Sequence, residues 1–166
     1  IDNGTMSIVG ANAYGIQSSI TGVDRFTVTD VSILMTGGGT NQTGIYSANG
    51  KVTVSTSSSR TISTSGTNGK GIYVTAGGSV DSTNYLYSLT GDNSIGILAD
   101  SDATGINVTN GEMSIGGTNT YGIKSSITGT DKFIVTNLPI SMHGGTAQTG
   151  IYSANGKVTV KATLTA

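Results

Sequence analysis

A twelve-residue stretch, TGIYSANGKVTV, occurs twice in the chain, at residues 43–54 and again at 149–160. Such a duplication restricts the fold more than any local motif, because both copies must find equivalent places in one structure. Residues 3–54 and 110–160 align end to end with one single-residue gap, in GGGTNQTG against GGTAQTG, and most aligned positions are identical. Residue 110 stands 107 positions after residue 3, and residue 149 stands 106 after residue 43.

A shorter period lies inside the long one. Gly-Ile recurs at Gly15-Ile16, Gly44-Ile45, Gly71-Ile72, Gly96-Ile97, Gly122-Ile123 and Gly150-Ile151, at spacings of 29, 27, 25, 26 and 28 residues. A further pair, Gly105-Ile106, falls where a second strand of its unit belongs. Each unit holds about three short runs with period-two alternation, bounded by Gly, Asn, Asp, Ser or Thr, which is the pattern of short strands and turns. The first full unit reads Gly15 to Ser18, Arg25 to Thr29 and Val31 to Met35; the third reads Gly71 to Thr75, Ser79 to Asp81 and Tyr85 to Leu89. Thr5 to Val9 reads as the last strand of a unit that begins upstream. No segment sustains a 3.6-residue stripe, and Gly, Thr, Ser and β-branched residues are poor helix material, so no helix is expected.

Three strands in about 27 residues predict an all-β fold, a right-handed parallel β-helix of five to six coils in which each strand pairs with its counterpart one coil away. Residues 1–166 then form a single β-helix segment, and both ends fall within the repeat, as expected of a piece of a longer array. Stacking the units places Ile16, Ile45, Ile72, Ile97, Ile123 and Ile151 in one inward ladder. The second strands stack Phe26, Val52, Val80, Ile106, Phe133 and Val158, with Val28, Val54, Val108, Val135 and Val160 two positions on. A lone coil cannot bury such faces, so stability has to come from neighbouring coils, and exposed coil ends predict end-to-end self-association.

The chain is rich in Gly (26 residues), only 35% hydrophobic and 10% charged, a balance that without the regular return of Ile and Val would describe a linker. Net charge is −1, and Arg25, Lys51, Arg60, Lys70, Lys124, Lys132, Lys157 and Lys161 are scattered singly along the sequence. With no basic run to neutralise phosphates, nucleic acid is not an expected partner. There is no Cys, hence no disulfide framework and no thiolate nucleophile or metal ligand, and no apolar run long enough to span a bilayer.

The outward position beside each inward Ile is occupied by Gln17, Tyr46, Tyr73, Leu98, Lys124 and Tyr152. Tyr46, Tyr73 and Tyr152 are the candidate partner-binding face, since exposed aromatics stack on sugar rings or dock a partner's side chains. The plainer reading is a cross-strand tyrosine ladder that stiffens the sheet. The loops Thr36 to Gln42 and His143 to Gln148 carry the one length difference between the copies, and the longer turn Ser55 to Ser59 and the turn Asp100 to Asp102 are further loop candidates. His143, the single histidine, is Thr36 in the other copy. A carbohydrate-active β-helix needs convergent carboxylates or a carboxylate with basic partners; Asp24, Asp30, Asp131 and Arg25, near one coil edge, come nearest to that. Pairs such as Thr27 and Thr29, or Thr53 and Ser55, resemble the threonine arrays of ice-binding β-helices, without forming one flat TxT column through every coil. Matches to N-x-[ST] begin at Asn3, Asn41 and Asn107, as chance provides in a chain so rich in Ser and Thr. No catalytic, cofactor or metal-ligand set emerges, and a non-enzymatic protein is expected.

The runs TGIYSANGKVTV, GKGIYVTAGGSV and ATGINVTNGEMSI resemble the passenger repeats of type V autotransporter adhesins, large surface proteins of Gram-negative bacteria. The resemblance spans nearly the whole chain and lies in how the coils are built, with small-residue turns, a Gly-Ile start to each coil, Asn-Gly turns and no Cys. It implies a right-handed β-helical stalk, exported unfolded and displayed on the bacterial cell surface by a parent attached to the outer membrane. The partner it implies is a protein or glycan on a host or bacterial cell. A carbohydrate-active β-helix of the tailspike or polysaccharide lyase kind is the alternative, and an ice-binding rod the third.

Overall fold

The computed structural model describes residues 1–20 and 25–162. Its seventeen strands, with no helix among the described residues, wind into a right-handed parallel β-solenoid of about 6 turns and about 27 residues per coil. A leading strand β1 (Asp2–Val9) is followed by β2 (Tyr14–Ser18) and β3 (Arg25–Thr36) in the first full coil. The second coil comprises β4 (Thr43–Ser47), β5 (Lys51–Ser55) and β6 (Thr61–Thr64), and the third β7 (Lys70–Val74), β8 (Ser79–Thr83) and β9 (Leu86–Thr90). Then come β10 (Ile95–Ala99), β11 (Gly105–Thr109) and β12 (Glu112–Gly116), and after them β13 (Tyr121–Ser125), β14 (Gly129–Thr136) and β15 (Ile140–His143). The sixth coil contributes β16 (Thr149–Ser153) and β17 (Gly156–Lys161).

The first strands of the coils make a six-stranded sheet, β2-β4-β7-β10-β13-β16. The second and third strands make two further faces that are joined into one eleven-stranded sheet by β3. That strand is read from sequence as two, Arg25–Thr29 and Val31–Met35; it stays continuous because a single residue, Asp30 at φ 52°, turns the corner. The leading strand starts earlier than Thr5, since Asp2 pairs with Thr29 and Gly4 with Val31. Likewise β8 runs on past Asp81, held by pairing of Ser55 with Thr83.

The predicted inner ladders have the predicted register. Ile16, Ile45, Ile72, Ile97, Ile123 and Ile151 are successive partners on the first face, and all but the last are buried. On the second face Phe26, Val52, Val80, Ile106, Phe133 and Val158 are also successive partners. The next ladder runs Val28, Val54, Ser82, Val108, Val135, Val160, so one hydroxyl interrupts a column of valines. Ser82 Oγ is satisfied by the hydroxyl of Tyr87, 2.5 Å away in the core. On the third face Ile33, Ile62, Tyr87, Met113 and Ile140 share one rung. A buried aliphatic side chain contributes about 1.5–3 kcal/mol, and stacking of the coils is needed to complete that burial.

Why each coil starts with Gly-Ile becomes clear at Gly44. A Cβ there would lie 2.6 Å from Gly71 O of the next coil and 2.6 Å from Cγ2 of Ile62, a core residue of the third face. Both Gly and the following Ile therefore face inward, and only glycine lets the first face close against the third. At the preceding corner stand Asn12, Asn41, Asn68, Asn93 and Asn119, with φ between 53° and 58°. Asparagine visits this left-handed region at low cost, and its amides stack: Asn41 Nδ2 donates to Asn12 Oδ1 at 2.9 Å and Asn68 Nδ2 to Asn41 Oδ1 at 3.1 Å.

The second coil departs from regularity. Thr29 pairs with Ser55 and Ile33 with Ile62, so residues 56–61 span what 30–32 span in the first coil. The extra chain bulges outward, and Tyr85 of the third coil fills the space. Its buried hydroxyl donates to Val31 O at 2.8 Å and accepts from Val31 N at 3.2 Å, two coils away.

Candidate functional site

The outer column of the first face has the expected register: Gln17, Tyr46, Tyr73, Leu98, Lys124 and Tyr152 are successive partners. Tyr46 and Tyr73 pack with ring centroids 5.3 Å apart and planes inclined at 52°. Tyr152 does not join them, because Leu98 and Lys124 intervene. Instead it packs edge-on to Tyr121 at 5.8 Å, while Tyr14 packs on Tyr46 at 5.5 Å. The face thus carries two aromatic groups, Tyr14-Tyr46-Tyr73 and Tyr121-Tyr152. Sequence reasoning missed Tyr14 and Tyr121. Both stand immediately before a Gly-Ile pair, and with Gly and Ile both turned inward the residue before them comes to the outer surface; the YGI triplets at 14–16 and 121–123 carried that signal.

Charge and hydrogen bonds fix the rings. Tyr73 Oη donates to Asp100 Oδ2 at 2.5 Å; burial and, after it, this carboxylate hold the phenol above its usual range. Lys70 Nζ lies 5.9 Å from the Tyr73 ring, and desolvation lowers its pKa against the opposing pull of Asp100. Lys124 Nζ sits 4.6 Å from the Tyr121 ring, within cation–π range. Tyr14 and Tyr152 remain 45% and 42% exposed at the outer ends of the two groups, while Tyr46, Tyr73 and Tyr121 are half-buried. Neighbouring rings inclined to one another leave edges and tips to solvent, a ridged surface suited to apolar faces of sugars or of a partner's side chains.

Several of the remaining candidates take part in hydrogen bonds within the fold. In the loop Thr36 to Gln42, the buried Gln42 amide donates to Thr36 O at 3.0 Å and to Gly10 O at 3.1 Å. In His143 to Gln148, Gln148 Nε2 donates to His143 O at 2.8 Å and to Gly117 O at 2.9 Å. Both loops are therefore closed by a glutamine at the same place despite their different lengths. His143 Nε2 lies 2.9 Å from Ser114 Oγ on the exposed third face. Asp30 braces the outward bulge, accepting from Thr56 Oγ1 at 2.7 Å and Ser57 N at 2.8 Å, bonds that lower its pKa. Asp102 sits in the turn after Asp100, where its carbonyl accepts from Gly77 N. Asp24 and the side chains of Arg25 and Asp131 lie outside the described residues. Among the described residues there is no group of three or more His, Cys, Asp or Glu placed to hold a metal ion.

The second face carries a feature that sequence spacing hides. Cations scattered in sequence are aligned in space: Arg25 pairs with Lys51, Lys51 with Ser79 and Ser79 with Gly105, and Lys132 and Lys157 precede the next two partners of that rung, Phe133 and Val158. Lys51, Lys132 and Lys157, all on this face, thus come near one line along the axis, with an irregularity of register between Gly129 and Phe133 just before Lys132. At the other edge of the same face Thr29, Ser55, Thr83, Thr109 and Thr136 align through five coils. The row between them, Thr27 and Thr53, gives way to Asp81, Asn107 and Ile134. No protein-family model, curated protein or solved structure matches the chain.

Proposed function

We propose that the chain is a β-helical segment of a bacterial cell-surface adhesin or surface fibre, a stalk or binding scaffold acting in cell adhesion without catalysis. Six coils at a strand spacing of about 4.8 Å make a rod on the order of 30 Å long, and further coils lengthen it without changing its section. The observation that carries the reading is the first face, where five tyrosines from five coils reach the outer surface of a rigid sheet. On this reading the parent protein is attached to the outer membrane, the segment is extracellular, and its partner is a protein or glycan on another cell.

The test is binding of the chain to host-cell glycans and to partner-cell surfaces, beside a Tyr46→Ser, Tyr73→Ser, Tyr152→Ser variant whose folding is checked by circular dichroism. Binding by the parent and not by the variant assigns recognition to this face. Equal binding by both moves recognition elsewhere. No binding by either leaves the segment a spacer and removes its role in recognition.

The Thr29 to Thr136 row gives an ice-binding rod a specific observation in its favour, although its companion row fails after the second coil. Thermal hysteresis at millimolar protein tests that reading directly, and its absence removes it.

A further inference from the structure

The second face carries a groove of about 280 Å³ at the one place where its basic column loses its side chains. Ser79 and Gly105 occupy the two rungs between Lys51 and Lys132, and Gly105 forms the floor. Nothing in the fold requires glycine there. Its φ is not in the left-handed region, and a Cβ would meet only Lys132 O at 3.5 Å and Ser79 Cβ at 3.8 Å, ordinary contacts. This sets it apart from Gly44, where a methyl group collides with backbone.

The groove's charges do not cancel. Lys51 is ion-paired with Asp81, while the exposed Lys132 has no carboxylate partner among the described residues. Two cations and one carboxylate leave a single positive charge. Around it stand Asn107, Thr104 and the Asp81 carboxylate, groups that exchange hydrogen bonds with hydroxyls. Lys157 lies on the next strand, about 4.8 Å further along the axis, immediately before Val158, the partner of Phe133.

We propose that this groove binds an acidic sugar unit of a linear glycan laid along the solenoid axis. Its carboxylate sits at Lys132, its ring lies over Gly105, and its hydroxyls meet Asp81 and Asn107; the next acidic unit faces Lys157. A nucleic acid is the less suitable polyanion, because the groove offers no aromatic platform for bases and one net charge is little against a phosphate backbone. The site lies on a different face from the tyrosines and does not depend on their role.

The experiment is calorimetric titration of the chain with a galacturonic acid hexamer and with its carboxyl-reduced, neutral counterpart. The acidic hexamer binds and the neutral one does not; Lys132→Gln weakens binding at least about tenfold, the loss expected for one charge-assisted contact. Gly105→Val, which fills the groove with a good strand residue, abolishes binding while the thermal midpoint holds or rises. Tyr46→Ser with Tyr73→Ser leaves it unchanged. No binding of the acid, equal binding of the neutral hexamer, undiminished binding by both Lys132→Gln and Gly105→Val, or loss in the tyrosine variant each overturns the assignment. Tighter binding of a single-stranded oligonucleotide in the same buffer overturns it in favour of a phosphate ligand.

Discussion

Replacing Tyr87 by Phe should destabilise the solenoid through a residue that the substitution does not touch. Tyr87 is fully buried, and its hydroxyl shares a 2.5 Å hydrogen bond with Ser82, the one polar member of a valine ladder. Removing the hydroxyl leaves Ser82 Oγ in the core without that partner, a desolvation cost of about 1–3 kcal/mol, while the ring keeps its packing. Ser82→Ala should cost a similar amount by stranding the phenol. The double variant removes both polar groups together, so the two losses should not add; with a coupling of about 1–3 kcal/mol the double variant should be about as stable as either single variant. For a chain of this length each kcal/mol moves the thermal midpoint by roughly 3 °C. Calorimetric melts of the four proteins measure the cycle. Additive losses, or a Tyr87→Phe protein as stable as the parent, would show that the bond does not satisfy Ser82 and that its place in the ladder is tolerated for another reason.

Gly44→Ala should cost about 1–3 kcal/mol by overpacking against backbone and Ile62, whereas Gly105→Ala should be neutral or stabilise by about 0.4–1 kcal/mol; denaturant midpoints separate the two. Asn41→Ala strains a left-handed corner and cuts an amide ladder on both sides, and Asn41→Gly relieves only the backbone, so the alanine variant should be the less stable by roughly 0.5–1 kcal/mol. Burial raises the phenols of Tyr73, Tyr85 and Tyr87, so the stability tied to their neutral forms is complete below about pH 10 and is lost as pH rises through the higher folded values. Absorbance at 295 nm should therefore show these three ionising late, with the buried pair tied to alkaline unfolding; titration of all seven tyrosines together at about pH 10 would refute the burial argument. A polypeptide of these 166 residues should associate end to end through Val9 and Val160, which are 73% and 63% exposed. Sedimentation should show mass rising with concentration, and Val160→Lys should suppress it.

The first face was legible from the chain because Gly-Ile marks the same point of every coil: a steric need for glycine, repeated, becomes a ruler. Strand identity and inner register followed from that ruler for Ile16 through Ile151. The outer surface was less legible. Tyr14 and Tyr121 were hidden because period-two reasoning fails where two consecutive residues face inward, and the basic column was hidden because Ser79 and Gly105 interrupt it. Nothing local in sequence announces that Tyr85 reaches Val31 across two coils, since that contact depends on a bulge in the coil between them. The Asn corners went unread, because their role rests on a backbone angle that composition does not report.

The duplicated TGIYS segments in β4 and β16 occupy equivalent rungs beside near-identical neighbours, β2 and β13. For a chain collapsing all at once, β2 finds two almost interchangeable partners, 29 and 135 residues away. Loop-closure entropy separates them by only about 1.4 kcal/mol, roughly tenfold. A chain that emerges from its amino end instead meets β4 before β16 exists. The same repetition that makes the rod easy to extend therefore makes its correct assembly depend on the order in which its coils become available.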